Sequence, residues 1–156
     1  MWGTQNGWGA VGRCRPKSVA IGPLARYSAK NIDILVGDIF DMSAKYLGTV
    51  NAIDDRAALV ALPADTRRKY AARTTSLTNA VPRLLISYDY NQMLMEGPPF
   101  SVNADELKQL FGTVYQLESV ERKNVESGSK GKVAVTETAW LLQKASEQVR
   151  KNGFRA

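Results

Sequence analysis

The stretch "AIDDRAALVALP", residues 52–63, decides how this chain is read. Two carboxylates and an arginine, Asp54, Asp55 and Arg56, abut an apolar run, with none of the Gly or Asn that usually joins a strand to a helix. The pattern predicts a polar cluster at the end of a buried strand.

Working outward, "IDILVGDIFDM" (residues 32–42) reads as a strand ending near Gly37, and "TVNAIDD" (49–55) as another. "ADTRRKYAARTTSL" (64–77) starts with Pro63 and Asp65 where a helix start wants them, and "RLLISYDY" (83–90) is a third strand. In the loop "NQMLMEGPPFSV" (91–102), Gly97, Pro98 and Pro99 forbid regular structure. "NADELKQLFG" (103–112) combines an N-cap, a glutamate three residues on, one apolar face of Leu107, Leu110 and Phe111, and a closing glycine. "VYQLESVER" (114–122) and "KVAVTETAWLLQK" (132–144) are two last strands joined by the polar loop "KNVESGSKG", and residues 145–156 form a charged tail. Alternation of strands and helices implies an α/β domain with a largely parallel sheet and a final antiparallel hairpin at its edge.

The 156 residues suffice for one domain with a real core, and 44% hydrophobic with 23% charged content is globular. A net charge of +6 invites a nucleic-acid reading. The charges are scattered, however; the densest group, Arg67, Arg68, Lys69 and Arg73, would spread over a solvated helix face, so nucleic acid is disfavoured as a partner. Cys14 is the only cysteine and histidine is absent, which excludes disulfide frameworks, zinc sites of the common kinds and every histidine-based triad. No apolar run reaches the ~18 residues of a membrane span. Residues 1–32 hold no acid but five cations, the charge bias of a mitochondrial transit peptide. Their glycines and prolines argue instead for a loosely ordered leader over residues 1–30.

In α/β sheets ligands bind beyond the carboxyl ends of the strands. Asp38, the pair Asp55 and Arg56, and the pair Tyr88 and Asp89 all follow or end strands, so three polar clusters would line one rim. N-caps and solvated turns explain the same residues, and spacing alone does not separate the readings.

"GDIFDM", "DDRAALVALPADTRRKYA", "LLISYDY" and "GPPFSV" followed by "ELKQLFG" resemble, in order and spacing, the carboxyl-terminal half to two-thirds of thiopurine S-methyltransferases. The resemblance covers residues 31–144 and implies a Rossmann-like class I methyltransferase sheet in a cytosolic enzyme that uses S-adenosylmethionine. It implies that Asp38 and Ile39 contact the adenosyl part of the cofactor. Arg56 would stand beside methyl donor and acceptor, serving both catalysis and cofactor binding, and the loop at Pro98, Pro99 and Phe100 would cover the pocket of a small aromatic or heterocyclic thiol.

The family's tryptophan-rich cover, glycine-rich loop and first two strands find no counterpart in residues 1–30. Asp54 stands where the family favours an aromatic, and Ser129 or Lys130 where a later arginine holds substrate. The resemblance therefore implies a sheet truncated at its amino terminus, with the strand at 32–36 displaced or loosely paired. The gap would be filled by "KSVAIGPL" (17–24), by closure of the sheet, or by a partner chain or self-association. Two functions stand side by side: S-methyl transfer, and a silent paralogue or fragment serving as a binding or structural subunit.

Overall fold

The computed structural model describes residues 17–125 and 133–146. The chain divides into two compact units, with the boundary after Met42.

The first unit is an antiparallel meander of β1 (Lys17–Ile21), β2 (Leu24–Ala29) and β3 (Ile32–Val36), in the order β1-β2-β3. Both connections are two-residue turns with a positive φ, at Gly22 (60°) and Asn31 (62°), residue types that tolerate that conformation. The expectation of a poorly ordered leader is thus corrected for residues 17–29. Their β-branched and small residues pair in full register, Ala25 opposite Val36 through Ala29 opposite Ile32. The strand at 32–36 is correspondingly well paired, on one side among the described residues, and Ile32, Ile34 and Val36 are exposed. Residues 1–16 of the expected leader, and 147–156 of the tail, lie outside the described residues.

The second unit contains a short helix α1 (Ala44–Leu47), β4 (Ile53–Asp55), a 3-10 turn (Leu59–Ala61), α2 (Ala64–Leu77), β5 (Arg83–Asp89), a second 3-10 turn (Gln92–Leu94), α3 (Ala104–Phe111), β6 (Tyr115–Val125) and β7 (Val135–Lys144). Its sheet runs β4-β5-β7-β6. Only β4 and β5 pair in parallel, around the crossover helix α2; β7 is antiparallel to both neighbours. The largely parallel sheet expected from the alternation of elements is therefore corrected to a mixed one. The crossover through α3 places β6 two positions beyond β5, and β7 turns back into the space between them.

Helix α2 starts after Pro63 with Asp65 in its first turn, where a negative charge favours the helix dipole. It buries Arg67, Ala71 and Thr74, one stripe at helical spacing. Asn103 caps α3 by accepting the Glu106 amide at 2.9 Å, and Leu107 and Phe111 point inward. Both helices cover one face of the sheet, where Leu85, Leu142 and Tyr115 join Leu59, Val60, Ala71, Val102, Leu107 and Phe111 in the main core. The opposite face carries Leu84, Ile86, Ala139 and Leu141, cross-strand neighbours in adjacent rows.

Candidate functional site

The carboxylates of the opening stretch part company. Asp55 turns into the core: one oxygen accepts the Leu59 amide at 3.3 Å, and the other accepts Arg83 Nη1 at 3.0 Å and the Tyr70 hydroxyl at 3.2 Å. Both partners of the Asp55–Arg83 ion pair have fully buried side chains, and Arg83 also donates to Thr74 Oγ1 at 2.7 Å and stacks over the Phe111 ring at 4.8 Å. Burial, followed by the Asp55 charge, pushes the Tyr70 hydroxyl far above its ordinary value. Asp55 therefore belongs to an internal brace rather than to a rim, which corrects the expectation for that residue. Arg83, first in its strand, gave no sign of being the counterion.

Immediately after this anchor the chain turns through Ala57 at φ 68°, a left-handed conformation rare for a residue with a Cβ. Arg56 is exposed at the turn. It lines a groove of about 240 Å³ on the face of the sheet opposite α2 and α3, with Asp54 beside it and Glu121, Lys123 and Glu137 across from it. Tyr88, Glu137 and Lys123 form one cross-strand row over β5, β7 and β6. Lys123 Nζ pairs with Glu137 Oε1 at 2.9 Å, and Tyr88 is the cross-strand partner of the same residue. The Lys123 bond, with help from Tyr88 and Arg56, holds the Glu137 carboxyl below the usual range; partial burial and the Glu137 charge raise the Tyr88 hydroxyl. The field of Arg56 thus reaches all three side chains of the row.

Glu137 also borders a second cavity of about 240 Å³, lined by Tyr88, Tyr90, Met95, Pro99, Val125 and Val135. One wall is the Gly-Pro-Pro-Phe loop. Tyr90 donates its hydroxyl to the Pro99 carbonyl at 2.6 Å, the Phe100 amide bonds the Val60 carbonyl at 2.7 Å, and the Ser101 amide bonds Gln92 Oε1 at 2.8 Å. Gly97 sits at φ 84°, and a Cβ there would meet the Phe100 ring at 2.7 Å, so the loop requires its glycine. Pro99 lines the cavity and Pro98 is exposed. Phe100 turns the other way, under the Arg67 guanidinium, whose carbon lies 5.7 Å from the ring centroid. Arg67 is buried, bonded to Glu106 at 2.8 Å and to the Leu62 carbonyl at 3.0 Å. The expected solvated face of cations is corrected at that residue: its charge braces the two helices and the loop.

Asp38 and Ile39 belong to the first unit, just beyond β3. Asp38 Oδ1 accepts the Phe40 amide at 2.9 Å, a local turn bond, and Ile39 is half-buried. Ser129 and Lys130 lie outside the described residues. Glu137, Lys123, Tyr90 and Met95 are the residues the sequence reading missed. Glu137 and Lys123 look in sequence like any other charged strand positions, and only the register of β7 between β5 and β6 joins them to Tyr88.

A βαβ unit followed by a helix and an antiparallel hairpin, with a groove at the carboxyl end of β4, is a mixed α/β arrangement consistent with a methyltransferase-like fold. The family model for thiopurine S-methyltransferase matches residues 10–147, and the chain belongs to that family. It is 48% identical over 118 residues to a thiopurine S-methyltransferase of Teredinibacter turnerae, covering 76% of this chain and 55% of the relative. The corresponding figures are 42% over 130 residues for that of Xanthobacter autotrophicus (83% and 61%) and 46% over 120 residues for that of Gluconobacter oxydans (77% and 54%). The chain thus spans between 54% and 61% of the length of these curated relatives. The family match begins before β1, so residues 17–29 fall within it rather than ahead of it. No helix among the described residues is long and apolar enough to cross a membrane.

Proposed function

We propose that this chain serves S-adenosylmethionine-dependent S-methyl transfer to a small aromatic or heterocyclic thiol, with Arg56 beside the reacting sulfur. The observation that carries the reading is the split at the end of β4: Asp55 is locked inward by Arg83, so the next side chain, Arg56, is presented to the groove. The groove also supplies the charged partners that the amino-acid end of the cofactor requires, cations that donate to its carboxylate and carboxylates that accept from its ammonium. When bound, the cofactor offers an electrophilic methyl group on a sulfonium.

Arg56 favours the anionic form of the acceptor, lowering the thiol pKa so that the proton leaves to solvent before transfer, and no imidazole base is needed. Asp38 and Ile39 would hold the adenosyl portion. The apolar cavity beside Pro99 orients the ring and excludes water, which matters for in-line displacement more than acid–base help does. Its size suits the purpose, since a dry cavity of roughly 150 Å³ accommodates benzene.

The test is methyl transfer from labelled S-adenosylmethionine to thiophenol, with calorimetry of cofactor binding. Binding weaker than low micromolar is expected, together with slow, thiol-dependent transfer that Arg56→Ala abolishes without moving the unfolding midpoint. Transfer unaffected by that substitution would remove Arg56 from the chemistry. The alternative of a non-catalytic subunit draws support from the exposed Leu84 on the face opposite α2 and α3 and from β4 as a terminal strand of its sheet. A chain that transfers no methyl group and forms a stable dimer or hetero-complex in light scattering would favour it.

A further inference from the structure

We infer that Glu137 determines acceptor specificity: paired with Lys123 and placed across the strands from Tyr88, it makes the apolar cavity take flat acceptors with an uncharged ring and turn away those bearing a ring carboxylate. The inference rests on the proposed role of that cavity as the acceptor site.

The argument is one of charge placement. Among the described residues, the cavity is lined by two tyrosine rings, a methionine, a proline, two valines and one carboxylate, with no cation. Lys123 sits on the other side of Glu137 and lines the groove shared with Arg56. An acceptor lying in the cavity therefore meets the carboxylate before it meets the ammonium behind it.

Tyr88 is the cross-strand partner of Glu137 and lines the same cavity, so an anion lying against its ring also meets the Glu137 charge. The Tyr90 hydroxyl is committed as a donor to the Pro99 carbonyl. Of the two cations in the groove, Lys123 is matched by Glu137, which leaves Arg56 to receive one anionic group. In the proposed reaction that group is the thiolate. Among the described residues lining the cavity, a second anion on the far edge of the ring finds no cation and one like charge, in a partly desolvated space where repulsion exceeds its value in water.

The consequence is measurable without catalysis. The full chain is titrated with thiophenol and with 4-mercaptobenzoate, followed by chemical-shift changes of the cavity side chains. Thiophenol is expected to bind about tenfold more tightly, equivalent to ~1.4 kcal/mol. In Glu137→Gln the ratio should narrow to within about threefold, mainly through a gain for the carboxylate. Lys123→Met leaves the carboxylate without its counterion and should widen the ratio. Lys123 is exposed, so this second variant keeps the test open if the first fails to fold. Equal binding of both probes, a preference for 4-mercaptobenzoate, or a ratio unmoved in both variants would overturn the assignment to Glu137. If neither probe binds the wild-type chain, the acceptor-site reading itself fails along with it.

Discussion

Replacing Asp55 by Asn should unfold this protein far more readily than its position next to an exposed loop suggests. The carboxylate makes three hydrogen bonds, to Arg83, Tyr70 and the Leu59 amide, and the Asp55–Arg83 pair is fully buried. Asparagine keeps an acceptor for one or two of these donors but removes the charge. Among the described residues the Arg83 guanidinium is then left inside the core with Thr74 and the Phe111 ring as its uncharged partners, and its Nε already has no hydrogen-bond partner there. Breaking a buried pair from one side costs about 3–5 kcal/mol, against a total stability of about 5–15 kcal/mol for a domain. With a urea dependence of ~2 kcal/mol per molar, the unfolding midpoint followed by circular dichroism should fall by about 1.5–2.5 M. The double variant Asp55→Asn with Arg83→Met removes the orphaned charge and should recover most of that loss, because an apolar replacement of the whole pair is near neutral. A single-variant loss below ~1 kcal/mol, or strictly additive losses in the double variant, would refute the view that these charges are buried and coupled.

Three further outcomes are expected. Ala57→Gly should stabilise the chain by about 0.5–1 kcal/mol, since glycine accepts the left-handed turn without the steric penalty, partly offset by its freer unfolded state; a lowered thermal midpoint would contradict the assigned φ. Gly97→Ala combines a positive φ with a Cβ pressed on the Phe100 ring and should cost about 1–3 kcal/mol, read by denaturant titration. The Glu137 carboxyl, held low chiefly by Lys123, contributes stability that is complete above the unfolded-state value near ~4.3 and is lost as pH falls through the lower folded value. A carboxyl-carbon NMR titration with its midpoint at or above the ordinary glutamate value would exclude the clamp.

Periodicity and capping signals carried a large part of the architecture. The helices at Ala64–Leu77 and Ala104–Phe111 and the strand at Arg83–Asp89 fall where local chemistry places them, because proline, asparagine and glycine act on backbone conformation within a few residues. The family, too, was legible in short motifs. The pairing partners of those elements were not. Residues 17–29 looked like a leader because Gly22 and Pro23 interrupt a short apolar run, yet a two-residue turn needs just such a glycine, and β2 supplies the neighbour that β3 requires. Alternating elements promised a parallel sheet, but whether β7 lies outside β6 or between β5 and β6 depends on long-range hydrogen bonding that no local pattern encodes.

The division is sharpest in "DDR". Sequence alone marked these residues as a polar cluster at a strand end and tied them to a methyltransferase family. Only the fold decides that Asp55 points inward to Arg83, 28 residues later in the chain, while Arg56 points into the groove. Successive side chains on a strand face opposite sides of the sheet, and which side is core depends on where the helices land. The row of Tyr88, Glu137 and Lys123 follows the same logic, since Tyr88, marked only as a strand end, meets two residues unremarkable in sequence through the register of three strands.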